Sequence, residues 1–583
     1  MNLSFLRINN KAVWWIGIFL LLTFIPLSAC FSSGLSPSPT ATKTRTTSLL
    51  EADTPGANPK EIIPTSTSAP TDTIHPTSTP VSTEIVKTIW IDPVFPTRLK
   101  EMIRVPQGFS ETDRPENASI KIFIGDQDVV GYWTYVLVSP FPSLQEGIKT
   151  TKLKLFWEGI SKGLYANQPL LMSDETRHML SSRLGPPDVD SISIVPEDEI
   201  LDTLWPDPET WAVIPFSELE PKWKILSVSG QKAIHEDFNP SIDLLSIPIS
   251  VSGFPDHRDS FLSENTNLTN RNPEEMTTLI LTGVTALVRD TARLMEEKGI
   301  TYPAENIGVF LRSADFTHIN NEVPFASNCP PPTIDGSSQR FCSDDRYLEL
   351  LNFIGADIIE LSGDHLGDYG PEAMFHTLDL YRELDLHVYG GGKNLQAGLK
   401  PLTITHHGNK FAFLGCNAKT SKRYATASAY SPGAARCDFP WMRQEILKLK
   451  GDGYLPIVTM QHEEVYGNQS GINREDFQSL AYSGAVIVSG SQAHQPQPIE
   501  FYADSFIHYG LGNLFFDQYD ISQRLPFYQY TDKAFLDLHV FYQNRHLNTE
   551  LITIQFVDDA KSRFMTEKER KDLLSYVFNL SKW

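Results

Sequence analysis

The sequence predicts an α/β protein with two folded domains, because apolar segments of strand length alternate with segments of helical periodicity. The chain has 583 residues, of which 41% are hydrophobic and 11% aromatic. It is therefore long enough for about two to four domains with sizeable cores. Several predicted strands end in acidic, amide or imidazole side chains, which is where open α/β sheets place their ligand sites.

The net charge of −22 argues against a nucleic acid as the partner. Binding to a phosphate backbone requires clustered Lys and Arg, and the sequence has no basic patch with interleaved aromatic residues. The acidity fits a solvated surface and indicates little else about function.

Residues 1–30 are predicted to be a targeting segment rather than part of the fold. Two basic residues precede an apolar stretch at 13–27, which is followed by Ser28-Ala29-Cys30. Small residues before a cysteine resemble a bacterial lipobox, in which that cysteine is lipidated and becomes the new N-terminus. The resemblance implies a lipoprotein signal peptide and an anchor on Cys30 at the extracytoplasmic face of the cell membrane. An ordinary signal peptide and an uncleaved anchor are the alternatives.

Residues 31–85 are rich in Ser, Thr and Pro and nearly free of aromatic residues. Such a segment cannot bury enough apolar surface to offset the entropy lost on ordering. We predict a disordered spacer that holds the folded part off a membrane.

The cysteines fit an exported protein. Besides Cys30, the chain contains Cys329, Cys342, Cys416 and Cys437. An even number outside the cytosol indicates disulfides, and of the three possible pairings short loops favour Cys329–Cys342 and Cys416–Cys437. Free or metal-binding thiols are the alternative, but no C-x-x-C spacing supports a zinc site.

The first domain is predicted at 86–255. Strands such as Tyr132–Val138 and Trp211–Pro215 alternate with short helices. An aromatic strand, a Pro-rich turn and a short helix resemble a lobe of an extracytoplasmic solute-binding protein. A scaffold or docking domain without a ligand is the alternative. The polar stretch 256–275 is predicted to be a boundary.

The second domain is predicted at 276–583. A strand at Met276–Gly283 leads into a predicted helix over Val284–Lys298, and Ile319–Phe325 is predicted to be a loop. The centre of the domain is the stretch 357–368, where a short buried strand ends and Asp364, His365 and Asp368 follow.

Other strands of the second domain also end in side chains that are able to bind a metal ion. Carboxylates and imidazoles are common ligands of divalent metals. The residues concerned are Glu322, then Gln461, His462 and Glu464, and finally His494. Polar loops with ordinary histidines are the alternative interpretation.

Four motifs of this domain carry a family resemblance. They are Asn320-Asn321-Glu322, Gly363-Asp364-His365 with Asp368 and Gly370, Gly490 to His494 with Gln497-Pro498-Ile499-Glu500, and Gly510 to Leu514. Their order and spacing are similar to those of the CapA family of capsule and poly-γ-glutamate synthesis proteins, over roughly 277–517. The resemblance implies a four-layer αββα metallophosphoesterase-like fold, in which a β-sandwich is flanked by helices.

The resemblance also implies a metal site. Its ligands would be Glu322, Asp364, His365 and His494, with His365 and His494 alternatively acting as general acid or base. Asn513 would orient the substrate, and the surrounding or substrate-contacting residues would be Gln461, His462, Glu464 and Asp368. The chain departs from the family pattern at Val284, which replaces an Asp ligand, and at Ser491, which replaces a His. We therefore expect one divalent ion (Mn, Mg or Zn) rather than two.

Together these features predict a cell-surface lipoprotein that takes part in the synthesis, export or anchoring of a capsule or poly-γ-glutamate type of extracellular polymer. Any catalysis would be metal-dependent hydrolysis or transfer at a phosphate or acyl centre. The alternative is a non-catalytic envelope protein whose pocket binds a polymer or an anionic small molecule, and a structural spacer is a third possibility. The expected partners are the membrane, through the lipid anchor, and an extracellular polymer or an anionic small molecule.

Overall fold

The computed structural model describes residues 87–161, 168–333, 340–419, 425–466, 473–525 and 528–583. The predicted signal peptide, Cys30 and the whole of the predicted spacer lie outside these residues. The described part of the chain belongs to one compact unit. None of its helices combines the length and the apolar character that crossing a membrane requires.

The first domain is built on a mixed sheet. Its strands are β1 (Thr88–Ile91), β2 (Ser110–Glu111), β3 (Ile120–Ile124), β4 (Val129–Pro140), β5 (Gly147–Ile148), β6 (Leu170–Met172), β7 (Ile192–Ile194), β8 (Ala212–Pro215), β9 (Trp223–Ile225), β10 (Ser227–Val228) and β11 (Ser246–Gly253). The sheet order is β2-β1-β3-β11-β4-β8-β6-β7, β9 also pairs with β4, and β5 pairs with β10.

Short helices connect and cover this sheet. They are α1 (Thr97–Met102), α2 (Thr150–Trp157), α3 (Asp174–Leu184), α4 (Ile200–Leu204) and α5 (Pro255–Glu264). The core joins sheet residues such as Ile122 and Trp133 to the helix residues Leu99, Leu153 and Met179. The domain is therefore an α/β domain, as predicted. The stretch predicted to be a polar boundary contains α5, because Phe261 buries one face of an otherwise polar helix against this core.

The second domain contains the remaining strands. They are β12 (Met276–Thr282), β13 (Val284–Thr285), β14 (Phe316–Asn321), β15 (Ile358–Glu360), β16 (His387–Tyr389), β17 (Gly391–Gly392), β18 (Leu402–His406), β19 (Asn409–Asn417), β20 (Gly433–Ala434), β21 (Leu455–Gln461), β22 (Ile487–Ser491), β23 (Ile499–Tyr502), β24 (Ser505–His508), β25 (Asn513–Phe515), β26 (Lys533–Tyr542), β27 (Arg545–Phe556) and β28 (Ser562–Phe564).

The helices of the second domain flank two sheets. They are α6 (Arg289–Lys298), α7 (Gly308–Leu311), α8 (Leu348–Phe353), α9 (Gly370–Glu383), α10 (Leu395–Leu399), α11 (Phe439–Gly451), α12 (Arg474–Tyr482), α13 (Tyr519–Arg524) and α14 (Glu567–Leu580). One sheet has the order β16-β15-β14-β12-β26-β27-β28, with β13 pairing β14 and β25. The other has the order β18-β19-β21-β22-β24-β23.

The two sheets pack face to face between layers of helix. Successive side chains of a strand point to opposite faces. Accordingly, Leu279 and Leu281 of β12 contact Phe411 and Phe413 of β19 in the central core, whereas Ile280 packs toward helices α6, α8 and α9. The alternate residues Ala412 and Leu414 of β19 pack against α11 and α12 on the opposite side. The four-layer αββα prediction is confirmed.

Two sequence predictions about the entry to this domain are wrong. The predicted loop 319–325 begins as part of strand β14, whose polar residues are buried by partners on both sides. The helix predicted over Val284–Lys298 begins only at Arg289, because Val284 pairs with Asn320 of β14 and with Asn513 of β25. Helical periodicity within the segment could not reveal these long-range pairings.

Both favoured disulfides are present. Cys329 and Cys342 are bonded with a Cα–Cα distance of 5.8 Å, and Cys416 and Cys437 with 4.9 Å. The first closes the segment that carries Phe341, and the second ties the end of β19 to the segment before α11. Both segments border the candidate site described below.

A nearly buried ion cluster joins the first domain to the β26–β27 hairpin. Glu550 of β27 pairs with Lys232, and its Oε2 is 2.7 Å from His235 Nε2. Burial alone raises the pKa of Glu550, but Lys232 and His235 outweigh it and hold that pKa well below 4.5. The charged carboxylate therefore stabilises the folded state.

We expect Glu550→Gln to lower the free energy of unfolding at neutral pH by about 3–5 kcal/mol, because it leaves a buried lysine without its counter-charge. The folded-state pKa is depressed, so the wild-type contribution is complete above pH 4.5 and is lost as the pH falls below that value. Denaturant unfolding across this range measures the effect, with the exposed Glu567→Gln as the control. An equal loss in both variants would contradict the prediction.

Candidate metal centre

The candidate site lies at one edge of the two sheets of the second domain. Strands β14 and β15 are parallel, as are β21 and β22, so their carboxyl ends meet at common edges. Glu322 follows β14, and Asp364 and His365 follow β15. Gln461 is the last residue of β21. This is the placement expected for ligand-binding residues of parallel α/β sheets.

Glu322, Asp364 and His365 form a compact group of potential metal ligands. One ligand atom from each lies within 4.8 Å of the others, and all three residues are buried. Among the described residues, this is the group that meets that spacing. The backbone N–H of Glu322 donates to Thr285 O at 3.0 Å, which fixes the end of β14 against β13.

Gly363 permits this close arrangement. A Cβ at position 363 would lie 2.6 Å from the Cα of Glu322, which is shorter than real contacts allow. Any other residue there would separate the loop of Asp364 from Glu322. This steric requirement explains why a glycine follows Ser362 after the predicted central strand.

Asp368 orients His365. The His365 Nδ1 is 2.6 Å from Asp368 Oδ2, and the same oxygen accepts the N–H of Phe341 at 2.8 Å. An ionised carboxylate only accepts, so this contact assigns the ring proton to Nδ1. The other ring nitrogen, Nε2, lies 3.9 Å from Asp364 Oδ1. A histidine that donates one ring N–H to a carboxylate is typical of metal ligands.

Lys419 lies inside the site, and sequence analysis did not identify it. Its Nζ is 3.0 Å from Asp364 Oδ2 and 2.7 Å from Glu464 Oε1, and its side chain is 8% exposed. Burial opposes the charged form, but Asp364 and Glu464 raise the pKa of Lys419 above its usual value. Lys419 enters the site because β19 is parallel to β21 and ends beside it. The sequence of β19 itself gives no sign of that pairing with β21.

Amide side chains complete the polar floor. Asn417 Nδ2 donates to Gln461 Oε1 at 2.9 Å, and Gln461 Nε2 donates to Asp364 Oδ1 at 3.2 Å. Gln492 Nε2 donates to Glu464 Oε1 at 3.2 Å. Gln461 and Glu464, both predicted site residues, therefore contact the ligand group or its lysine.

His494 and Asn513 form a pair beside this group. His494 Nδ1 is 2.9 Å from Asn513 Oδ1, and its ring stacks on Phe516 at 4.9 Å. Burial lowers the pKa of His494, against the opposing effects of Asn513, Glu464 and Asp364. A neutral ring that donates from Nδ1 has a basic Nε2. His494 is not part of the group of three ligands.

His462 points elsewhere. Its Nε2 is 3.0 Å from Asp476 Oδ2, and its ring lies 5.6 Å from that of Phe477, both on α12. The structure thus places His462 against a helix, whereas its neighbours Gln461 and Glu464 reach the site.

The two departures from the family pattern are buried in this structure. Val284 carries no donor atom, and Ser491 Oγ accepts Asn320 Nδ2 at 3.3 Å. The same Asn320 nitrogen donates to Glu360 Oε2 at 2.7 Å. Burial raises the pKa of Glu360, a residue that sequence analysis did not identify. The polar atoms at this second position are therefore engaged with one another.

The donor set fits one divalent ion. Two carboxylates and an imidazole whose other nitrogen is held by Asp368 suit Mn²⁺, Mg²⁺ or Zn²⁺. Glu322, Asp364 and His365 would hold the ion, and Asp368 would orient the histidine.

Comparison with known proteins shows that the second domain is similar to a family of bacterial proteins. Residues 278–518 match the family model of the bacterial capsule synthesis protein PGA_cap. The chain is 23% identical over 250 residues to the capsule biosynthesis protein CapA of Bacillus anthracis, covering 42% of this chain and 61% of that protein. It is 25% identical over 234 residues to the PGA biosynthesis protein CapA of Bacillus subtilis (strain 168), covering 40% and 60%.

The chain thus spans less than two thirds of the length of these curated relatives. A putative 5′-nucleotidase from Staphylococcus aureus is a structural neighbour, with a TM-score of 0.30, 12% identity, and coverage of 52% of this chain and 58% of that one. Over residues 278–518, this chain is therefore similar to the CapA family of bacterial capsule synthesis proteins, and its second domain has a metallophosphoesterase-like fold.

Proposed function

We propose that the protein takes part in making, exporting or anchoring a capsule or poly-γ-glutamate type of polymer, and that its second domain is a hydrolase or transferase with one divalent ion. It acts as a lipoprotein anchored through Cys30 at the extracytoplasmic face of the membrane. The single observation that carries the catalytic part is the buried group of Glu322, Asp364 and His365 in the family domain.

A divalent ion held by Glu322, Asp364 and His365 would supply positive charge suited to polarising a phosphoryl or acyl oxygen. The chain's own residues supply the rest. Lys419 adds a second positive charge next to Asp364, which favours binding of an anionic reacting group. His494, with Nδ1 directed at Asn513, accepts or returns a proton at Nε2.

A non-catalytic binding protein is the second candidate. The observation in its favour is that Val284 and Ser491 supply no ligands for a second ion while Lys419 already neutralises two carboxylates. In that case the same pocket would recognise an anionic segment of the polymer without cleaving it.

Metal content and hydrolysis of the full-length protein separate the two candidates. We expect about one divalent ion per chain after purification without chelator, and hydrolysis of a model phosphodiester that a chelator abolishes and Mn²⁺ restores. Retention on immobilised poly-γ-glutamate tests the polymer. Retention without metal or hydrolysis would overturn the catalytic proposal and support the binding protein.

A further inference from the structure

A cavity beside the candidate metal centre is lined by two arginines. It measures about 190 Å³ and is lined by Arg289, Arg340, Phe341, Tyr347 and Tyr369, together with a run of prolines at 330–332. None of the described residues that line it is Asp or Glu. In a chain of net charge −22, a concave surface lined by two arginines favours anions, although Asp517 behind the lining interacts with Arg289.

Arg289, which lines this cavity, is held in an unusual backbone conformation. It is the first residue of α6 and has φ +48°. A bulky residue rarely adopts a left-handed conformation, and such strain concentrates at functional sites. Gln492 and His494, on the site loop after β22, also have positive φ values of 79° and 54°.

The Arg289 guanidinium connects the cavity to both histidines of the site. Its central carbon is 4.4 Å from the Phe341 ring centroid and 5.5 Å from that of Phe516. The Phe341 ring is 4.9 Å from His365, and the Phe516 ring is 4.9 Å from His494. A group bound at Arg289 is therefore one aromatic ring away from the reacting edge of the site.

The guanidinium retains hydrogen-bonding capacity. Its Nε is buried and has no hydrogen-bond partner among the residues that the structure describes. Arg340 is fixed in the cavity because its Nε donates to Asp368 O at 2.8 Å. Two guanidinium groups, one of them with an unused donor, match the planar or tetrahedral oxygens of a carboxylate or phosphate.

We propose that the cavity at Arg289 and Arg340 binds an oxyanion of the substrate, a carboxylate or phosphate group next to the bond held at the metal centre. This inference rests on the proposed function of that centre and adds the substrate class. About 190 Å³ accommodates a group of several heavy atoms, since one water takes roughly 30 Å³ of liquid volume.

Calorimetric titration of the full-length protein with inorganic phosphate and with L-glutamate tests the proposal. We expect the wild type to bind at least one probe and Arg289→Asn to bind it at least tenfold more weakly, with a thermal midpoint close to wild type because asparagine tolerates a positive φ. The matched control is Arg293→Gln, which alters a half-buried arginine of the same helix that pairs with Asp290. Phosphate or glutamate as the tighter probe identifies the oxyanion.

Equal affinity in the wild type and Arg289→Asn, or no binding of either probe, would overturn the subsite. Hydrolysis is not the readout. A protein that hydrolyses nothing yet loses oxyanion binding in Arg289→Asn would refute the proposed catalysis and keep the subsite. A protein that hydrolyses the model substrate but has unchanged oxyanion affinity in Arg289→Asn would support the proposed catalysis and refute the subsite.

Discussion

His365→Ala should weaken binding of the divalent ion on the order of 100-fold or more and remove detectable metal-dependent hydrolysis. The variant loses one of three ligand atoms that lie within 4.8 Å of each other, and it loses the nitrogen donor of the set. Asp368→Asn should weaken binding about 10–100-fold, because the carboxylate that holds His365 Nδ1 at 2.6 Å is lost while the ligand itself remains.

Metal content by elemental analysis and affinity by competition with a chelator measure this series. The control is His376→Ala, which removes an imidazole that pairs with Asp345 at 2.9 Å and is not one of the three ligands. We expect the loss of metal affinity to be largest in His365→Ala, smaller in Asp368→Asn and absent in His376→Ala. The first residue would contact the ion, the second would act through His365, and the third does neither. Full metal occupancy in His365→Ala would disprove the assignment of this group as the centre.

The sequence predicted Glu322, Asp364 and His365 as candidate ligands because polar residues follow short apolar strands, and the structure brings these three side chains together. In the amino-acid sequence, the apolar run Ile358-Ile359 followed by Gly363 indicates the end of a buried strand. Glu322, Asp364 and His365 were each predicted from such a position, and parallel strands bring these positions to one edge. The α/β architecture was predictable for a similar reason, because the hydrophobic periodicity that distinguishes strands from helices is present within each segment.

The residues that were missed depend on partners distant in the chain. Lys419 has no local signal, since its position is set by the parallel register of Asn417 with Gln461. Glu360 is the last residue of a strand and is accommodated in the core by Asn320 and Ser362. His462 follows the same strand as Gln461, but Asp476 on α12 draws its ring away from the site. The positions of these three side chains depend on partners that are distant in the chain. A single sequence contains no local pattern that reveals such pairings.

Lys419→Met should make the protein's stability depend on metal more strongly than in the wild type. The substitution leaves Asp364, which is fully buried, and Glu464 without the cation that lies 3.0 and 2.7 Å from them. Loss of one partner of a buried ion pair costs about 3–5 kcal/mol. The two carboxylates then offer oxygen ligands for a divalent ion, which at 100 times its dissociation constant restores about 2.7 kcal/mol.

Thermal unfolding with and without millimolar Mn²⁺ measures this effect, and metal analysis should give an ion-to-chain ratio above the wild-type value. The exposed Lys448→Met, which breaks a surface pair with Glu445, is the control and should show neither change. If Lys419 supplies charge to the reaction, hydrolysis should also fall on the order of 10²-fold even with metal bound, because a fixed cation positioned for the transition state is lost. If Mn²⁺ stabilises Lys419→Met and the wild type equally, the prediction is wrong. In that case the Lys419 ammonium does not occupy a position at which a second metal ion binds. The absence of a second metal ion from the site would then be explained by Val284 and Ser491 alone, which replace ligands of the family pattern.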